Sequence, residues 1–206
     1  MILAIRRGVG ELISFILPRL CCGCGERIIE QDRIVCQPCL DSIPPLLEPV
    51  CVTCGCPDAK VLAPGKCANC LPGKTWFSRA RGAAPFVGVA QLMVFRLKYH
   101  DRTEYARAMV PFMVAELRKK GPADDGLEAD MEVGPMVVVP VPLHSARERQ
   151  RGFNQATVLG ELIARELGGE FKKRALKRIR ATETQTRLKK RARRKNVEGA
   201  FICRQP

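Results

Sequence analysis

Aromatic residues are scarce in this chain, and between Phe171 and Phe201 there are none. A surface on which nucleobases stack is therefore excluded over that stretch. No apolar run is long enough to span a bilayer. The uncharged run after Glu11, Leu12 to Leu17, falls far short of the ~20 residues needed. A secretory leader is also missing: apolar residues precede Arg6 and Arg7, and no small-residue cleavage site follows. Without leader or span, the expected location is the cytoplasm, where thiols stay reduced and disulfides are not expected. Histidine is nearly absent too, with two copies: His100, which has no visible partner, and His144. Acid pairs are equally rare. The one adjacent pair, Asp124-Asp125, sits in a polar stretch without a preceding β-branched run and reads as a surface loop.

What the chain does have is cysteine and base. Hydrophobic residues make up 46% of 206 residues, enough for a core and against global disorder. That length suits one ordinary domain plus a small module. Ten of the eleven cysteines lie between Cys21 and Cys70. Eight form four C-x-x-C pairs: Cys21/Cys24, Cys36/Cys39, Cys51/Cys54 and Cys67/Cys70. Two thiolates across a two-residue turn can grip one tetrahedral zinc, and two such turns close the site. Eleven residues separate the pairs of the first unit and twelve those of the second, an internal repeat of two short zinc ribbons. Two structural zinc ions are expected, and four thiolates leave no open position for chemistry. Spacing alone leaves open whether the pairs close within each unit or interleave across both. Gly23, Gly25 and Gly55 suit tight knuckles, and Pro44, Pro45 and Pro49 separate the units. The module has too few apolar residues for a core of its own, so metal binding is expected to supply its folding free energy. Its expected role is structural or the docking of a protein partner. Cys22, Cys56 and Cys203 have no role that the sequence supports.

The net charge of +14 is concentrated. Residues 172–195 hold thirteen Lys or Arg against one acid, Glu183, for +12 in one window. Two readings compete there: a loop closing over a polyanionic substrate, or a segment tracking a DNA backbone by salt-sensitive electrostatics.

Upstream, Ile2, Ile5, Val9, Leu12, Ile13 and Ile16 share one helical face that Pro18 ends, giving an amphipathic helix expected to pack on the protein itself. Residues 76–81 read as a connector. Leu92, Phe95 and Tyr99, then Met109, Phe112, Met113 and Leu117, mark two helices before the first core strand. Met136 to Val139 then read as a strand buried on both faces, as in a parallel sheet. A loop carrying His144, Arg147, Arg149 and Arg151 is expected next. From Gly152 and Phe153 a helix reaches Leu167 and a Gly168-Gly169 stop. Further strands are expected near Leu176 and from Val197 to Cys203. Strand, basic loop and helix N-terminus together make an anion site, where arginine forks match phosphate oxygens.

Residues 137–156, VVVPVPLHSARERQRGFNQA, resemble the pyrophosphate-side segment of the ComF family of competence-associated, phosphoribosyltransferase-like proteins. Residues 95–101, FRLKYHD, resemble that family's Lys-Tyr segment. Residues 182–201 resemble its mobile basic region, with Gln185, Leu188, Arg191, Asn196 and Phe201 in order. The resemblance implies an α/β fold: a partial phosphoribosyltransferase-type parallel sheet behind an N-terminal four-cysteine double zinc-ribbon module. The expected domains are the helix over 1–18, the double ribbon over 19–75 and the phosphoribosyltransferase-like domain over 76–206. It implies phosphoribosyl pyrophosphate or pyrophosphate as ligand, magnesium on the phosphates, and a link to competence and DNA uptake. His144, Arg147, Arg151, Gly152 and Phe153 would contact the diphosphate, with Arg191 closing over it and Lys98 and Tyr99 near the cleft. The family's acid-pair, Thr/Gly-rich ribose-phosphate loop has no match in these residues. The expectation is therefore a chain that stops short of that loop, with half a site, weak pyrophosphate binding and impaired transferase turnover. The rival expectation is a zinc-ribbon adaptor that binds DNA through 172–195 without enzymatic activity.

Overall fold

A computed structural model describes residues 18–30, 33–57, 61–62, 65–71, 76–100, 102–119, 136–185 and 188–204. The amphipathic helix expected over 1–18 and the pair Asp124-Asp125 lie outside the described residues, Pro18 excepted. The chain groups into two compact units, residues 1–95 and 96–206. Residues beyond 76 pack on the second ribbon: the amide of Ala80 donates to the Thr53 carbonyl at 2.7 Å.

In the first unit each ribbon starts with the same knuckle. Backbone bridges Leu20↔Arg27 and Val50↔Pro57 flank the first C-x-x-C of each unit. The amides of Gly25 and Gly55 donate to the carbonyls of Cys21 and Cys51, at 2.9 and 2.8 Å. Gly55 has φ +65°, and a Cβ there would lie 2.7 Å from the Ala80 carbonyl oxygen, so both turn and packing require glycine. The second C-x-x-C of the first ribbon opens the short helix α1 (Gln37–Asp41). In the second ribbon it follows a hairpin of β1 (Val61–Leu62) and β2 (Lys66–Cys67).

Helix α2 (Gly88–Tyr99) carries the boundary between units, and α3 (Tyr105–Arg118) follows. Both match the helical spacing read from the sequence. β3 (Val137–Val138) then pairs in parallel with β4 (Glu170–Phe171), in the register Val137↔Glu170 and Val138↔Phe171. Between them run α4 (Ser145–Arg151) and α5 (Gln155–Leu167), a crossover of the kind that parallel strands require. Val110 and Val114 of α3 and Ile163 of α5 form the buried core, with Met113, Val138, Leu159, Leu162 and Leu167 packed on it. Gly160 lets α5 approach the sheet: a Cβ there would meet the Phe171 ring at 3.1 Å and Val138 at 3.5 Å. β5 (Leu176–Arg178) and β6 (Phe201–Cys203), which precede and follow the basic helix α6 (Lys190–Val197), pair antiparallel.

Three expectations need correction. The Met136 to Val139 strand is not buried on both faces. Val138 faces α5, while Val137 and Val139 are 46% and 41% exposed, because one helix layer covers one face of a two-stranded sheet. The basic loop from His144 is a helix, α4, with Gly152 as its left-handed cap at φ +80°. Alternating Arg and polar residues have no apolar periodicity, so the sequence showed no helix there. The strand from Val197 begins at Phe201, since α6 extends through Val197, and it pairs antiparallel.

Ile163→Ala should lower unfolding stability by about 2–5 kcal/mol, as truncation of a buried core residue does. Urea melts read by circular dichroism check this. A loss below about 1 kcal/mol would remove the α3–α5 interface from the core.

Candidate functional site

The cysteines close within each ribbon, which settles the pairing that spacing left open. The Sγ atoms of Cys21, Cys24, Cys36 and Cys39 all lie within 4.8 Å of one another, and so do those of Cys51, Cys54, Cys67 and Cys70. Zn–S bonds of about 2.3 Å at tetrahedral angles put neighbouring sulfurs about 3.8 Å apart. The Cys24–Cys36 and Cys54–Cys67 sulfur pairs are each 3.7 Å apart, which fits zinc. Backbone amides point at the sulfurs: Gly23 donates to Cys21 Sγ at 3.4 Å, and Cys67 to Cys51 Sγ at 3.3 Å. The chain thus carries two four-cysteine sites for structural zinc.

Electrostatics point the same way. Burial pushes the Cys21 thiol up, but backbone donors at Cys24, Cys36 and Gly23 outweigh it and bring it down to about 6. The same balance, with backbone donors at Cys54, Cys67 and Thr53, brings Cys51 down to about 6. Within the same clusters, burial and neighbouring thiols drive Cys39 upward and push Cys70 up to about 12. One thiolate per cluster forms readily, and further negative charges in the same pocket repel it. A divalent cation at the centre removes that repulsion. Gly23 is fixed by the same geometry: a Cβ there would lie 2.7 Å from Cys39 Sγ.

The second candidate site is the bend between β3 and α5. His144 is the N-cap of α4, its Nδ1 accepting from the Ala146 amide at 3.3 Å. On a helix, Arg147 and Arg151 are four residues apart and share a face, whereas Arg149 projects elsewhere. Accordingly Arg147 and Arg151 are half-buried and Arg149 is exposed. Arg151 donates to Gln155 Oε1 at 2.9 Å, and its guanidinium lies 5.4 Å from the centre of the Tyr99 ring. Tyr99 therefore stands beside Arg151. Gly152 is exposed at the cap, and Phe153 is half-buried. Arg191 is exposed on α6.

The residue that holds the bend together escaped the sequence reading. Asn154 is 5% exposed. Its Oδ1 caps α5 by accepting from the Ala156 amide at 3.0 Å, and its Nδ2 donates to the Val141 carbonyl at 3.1 Å. One side chain thus ties the end of the strand segment to the start of the helix. Its signal was present: Asn directly before an apolar 3.6-residue pattern is a helix N-cap.

A double zinc ribbon followed by an α/β unit with a cationic strand–helix bend defines a class of two-part proteins. Residues 12–71 match the family model described as the double zinc ribbon domain. The chain is 30% identical over 190 residues to the DNA utilization protein YhgH of Salmonella typhimurium, covering 92% of this chain and 80% of that protein. The YhgH of Escherichia coli O157:H7 is 31% identical over 160 residues, covering 76% and 66%. Competence protein F of Haemophilus influenzae is 25% identical over 135 residues, covering 66% and 56%. No solved structure matches significantly. The chain belongs to the ComF family. Among the described residues, no helix is long and apolar enough to cross a membrane.

Elemental analysis of the purified chain should give two zinc ions per molecule, and Cys54→Ser should give one. Lowering the pH should release both, because protons compete with zinc for thiolate. A Cys54→Ser chain that still carries two zinc ions would exclude the within-ribbon pairing.

Proposed function

We propose that the bend between β3 and α5 binds pyrophosphate, free or as the diphosphate of phosphoribosyl pyrophosphate, in a protein that serves DNA uptake or utilisation. The observation that carries this is the shared face of Arg147 and Arg151 on α4, off the carboxyl end of a parallel strand, where α/β sheets take their ligands. Two half-buried guanidiniums there match the paired oxygens of a diphosphate. The α5 N-terminus, set by Asn154, adds a favourable dipole beside Gly152 and Phe153. His144 spends Nδ1 on its cap and offers Nε2 to the ligand. In phosphoribosyl transfer the bond from the anomeric carbon to the diphosphate breaks, the electron pair leaving with pyrophosphate, and an electron pair of the acceptor nucleophile forms the new bond to that carbon. Arg147 and Arg151 would stabilise that departing charge. Among the described residues, groups of three or more metal-binding side chains occur only in the two cysteine clusters. Magnesium would therefore arrive with the ligand's phosphates. The domain reading that supports this places the ribbon module over 19–75 and the phosphoribosyltransferase-like unit over 76–206, in the cytoplasm, with the ribbons available to a protein partner.

A second reading, DNA contact, is favoured by a specific observation. The basic stretch forms the helix α6, on which Arg191, Arg193, Arg194 and Lys195 are all exposed. Such a helix can lie along a phosphate backbone, and the absence of aromatics makes the contact electrostatic. The relatives' names, DNA utilization protein and Competence protein F, support a DNA context.

Calorimetry with the zinc-loaded full chain should show pyrophosphate binding that Arg151→Met weakens at least tenfold. Absence of any pyrophosphate binding would end the first reading. For the second, DNA affinity measured against salt should lose about 0.9 of log–log slope for each phosphate contact removed by Arg191→Gln or Arg194→Gln. An unchanged slope would take α6 out of the interface.

A further inference from the structure

A groove of about 500 Å³ runs beside the packed contact of α3 and α5, within the range of binding clefts. None of its lining residues belongs to the bend or to the cysteine clusters. Val110 and Val114 close its floor, where they meet Ile163 in the core. The sequence of α3 explains the opening. Arg107, Pro111, Ala115 and Arg118 follow at spacings of four, four and three, so they form one stripe along the helix. The two central members have short side chains, which do not fill the space toward Leu162 of α5. Pro111 and Ala115 accordingly remain exposed.

The ends of the stripe are cationic. Arg107 and Arg118 are exposed and eleven residues apart, about 16 Å along the helix axis. Among the described residues neither forms an ion pair. Arg118 donates to the main-chain carbonyl of Glu166 at 3.4 Å, which anchors it without cancelling its charge. Arg165 brings a third guanidinium to the α5 wall, and its pairing with Glu161, at 4.0 Å, is exposed and weak. Glu166 is the one acid among the lining residues described.

We propose that this groove docks an acidic amphipathic helix of a protein partner, laid along α3. Its apolar side chains would seat over Pro111, Ala115 and Leu162, the way helices enter grooves through anchors three and four residues apart. Its acids, three turns from one another, would meet Arg107 and Arg118. An elongated partner fits better than a small ligand: binding pockets bury most of a small ligand's surface, whereas here the two central residues stand in solvent. Apolar anchors supply the affinity, and the flanking charges set orientation and rate of encounter. Neither the pyrophosphate reading nor the DNA reading enters this inference.

The test uses fluorescence anisotropy with the zinc-loaded full chain and a labelled synthetic helix of about eighteen residues, long enough to span the groove. The probe carries Leu along one face and Glu toward both ends. The native chain should bind it at least tenfold more tightly than a scrambled peptide of the same composition, and than a counterpart with Lys for Glu. Arg107→Glu combined with Arg118→Glu should weaken binding at least tenfold, and so should Ala115→Phe, which fills the groove. These positions are exposed, so zinc content and circular dichroism should stay unchanged; if one variant unfolds, the other decides. Because the chain is strongly basic, Arg191→Glu combined with Arg194→Glu on α6 is measured beside them and should leave the preference over the scrambled peptide intact. No preference over the scrambled peptide overturns the proposal. So does a loss that follows the α6 variant and not the groove variants. If sedimentation shows a native self-association that Ala115→Phe abolishes, the groove joins copies of this chain and the proposal falls equally.

Discussion

Repulsion among thiolates governs the N-terminal unit. Four sulfurs held within 4.8 Å of one another cannot all ionise without a cation, and the opposed shifts of Cys21 and Cys39, or Cys51 and Cys70, express that conflict. Zinc resolves it, and in doing so fixes the turns on which the unit is built. Few other groups could: Ile28, Val35 and Met93 are its buried aliphatic side chains among the described residues, while Ile29, Leu47 and Trp76 stand in solvent. The buried side chains otherwise include the ligands themselves, Cys51 and Cys67 most completely. Metal coordination thus takes the place of an apolar core, and glycine is required wherever a Cβ would enter the cluster or its packing, at Gly23 and Gly55.

The C-terminal unit is held in the ordinary way, by apolar packing of α3, α5 and the β3–β4 pair. Its functional region grows out of that packing. Gly160 allows α5 to press on Val138 and Phe171, which fixes the helix start relative to the strand end. Asn154 then converts that fixed distance into a closed bend by bonding both ends. The basic helix α6, in contrast, presents its charge outward. One chain therefore carries both a half-buried pair of arginines on α4 and an exposed cationic helix.

Much of this was legible in the residues. The four C-x-x-C pairs and their near-equal spacing gave the two ribbons, and apolar spacing gave α2, α3 and α5 to within a few residues. Glycine at 168 marked the end of α5, where φ is +64°. The short strand β4 was missed because Glu170 and Phe171 are too few to show a period. The helix α4 was missed because its residues are polar and its stability comes from the His144 cap and its neighbours. Helix α6 was read as a loop for a similar reason: a run of like charges carries no apolar face.

Sequence by itself determined the local chemistry: which residues are metal ligands, where positive charge is concentrated, and where most helices begin and stop. These depend on side-chain type and on spacing along a few turns of chain. Tertiary structure alone decided which cysteine pairs share a metal, which face of the Met136 to Val139 strand is covered, and what closes the bend. Those outcomes turn on distances between segments apart in sequence. Asn154 illustrates the point: nothing in its local pattern shows that its Nδ2 reaches the Val141 carbonyl.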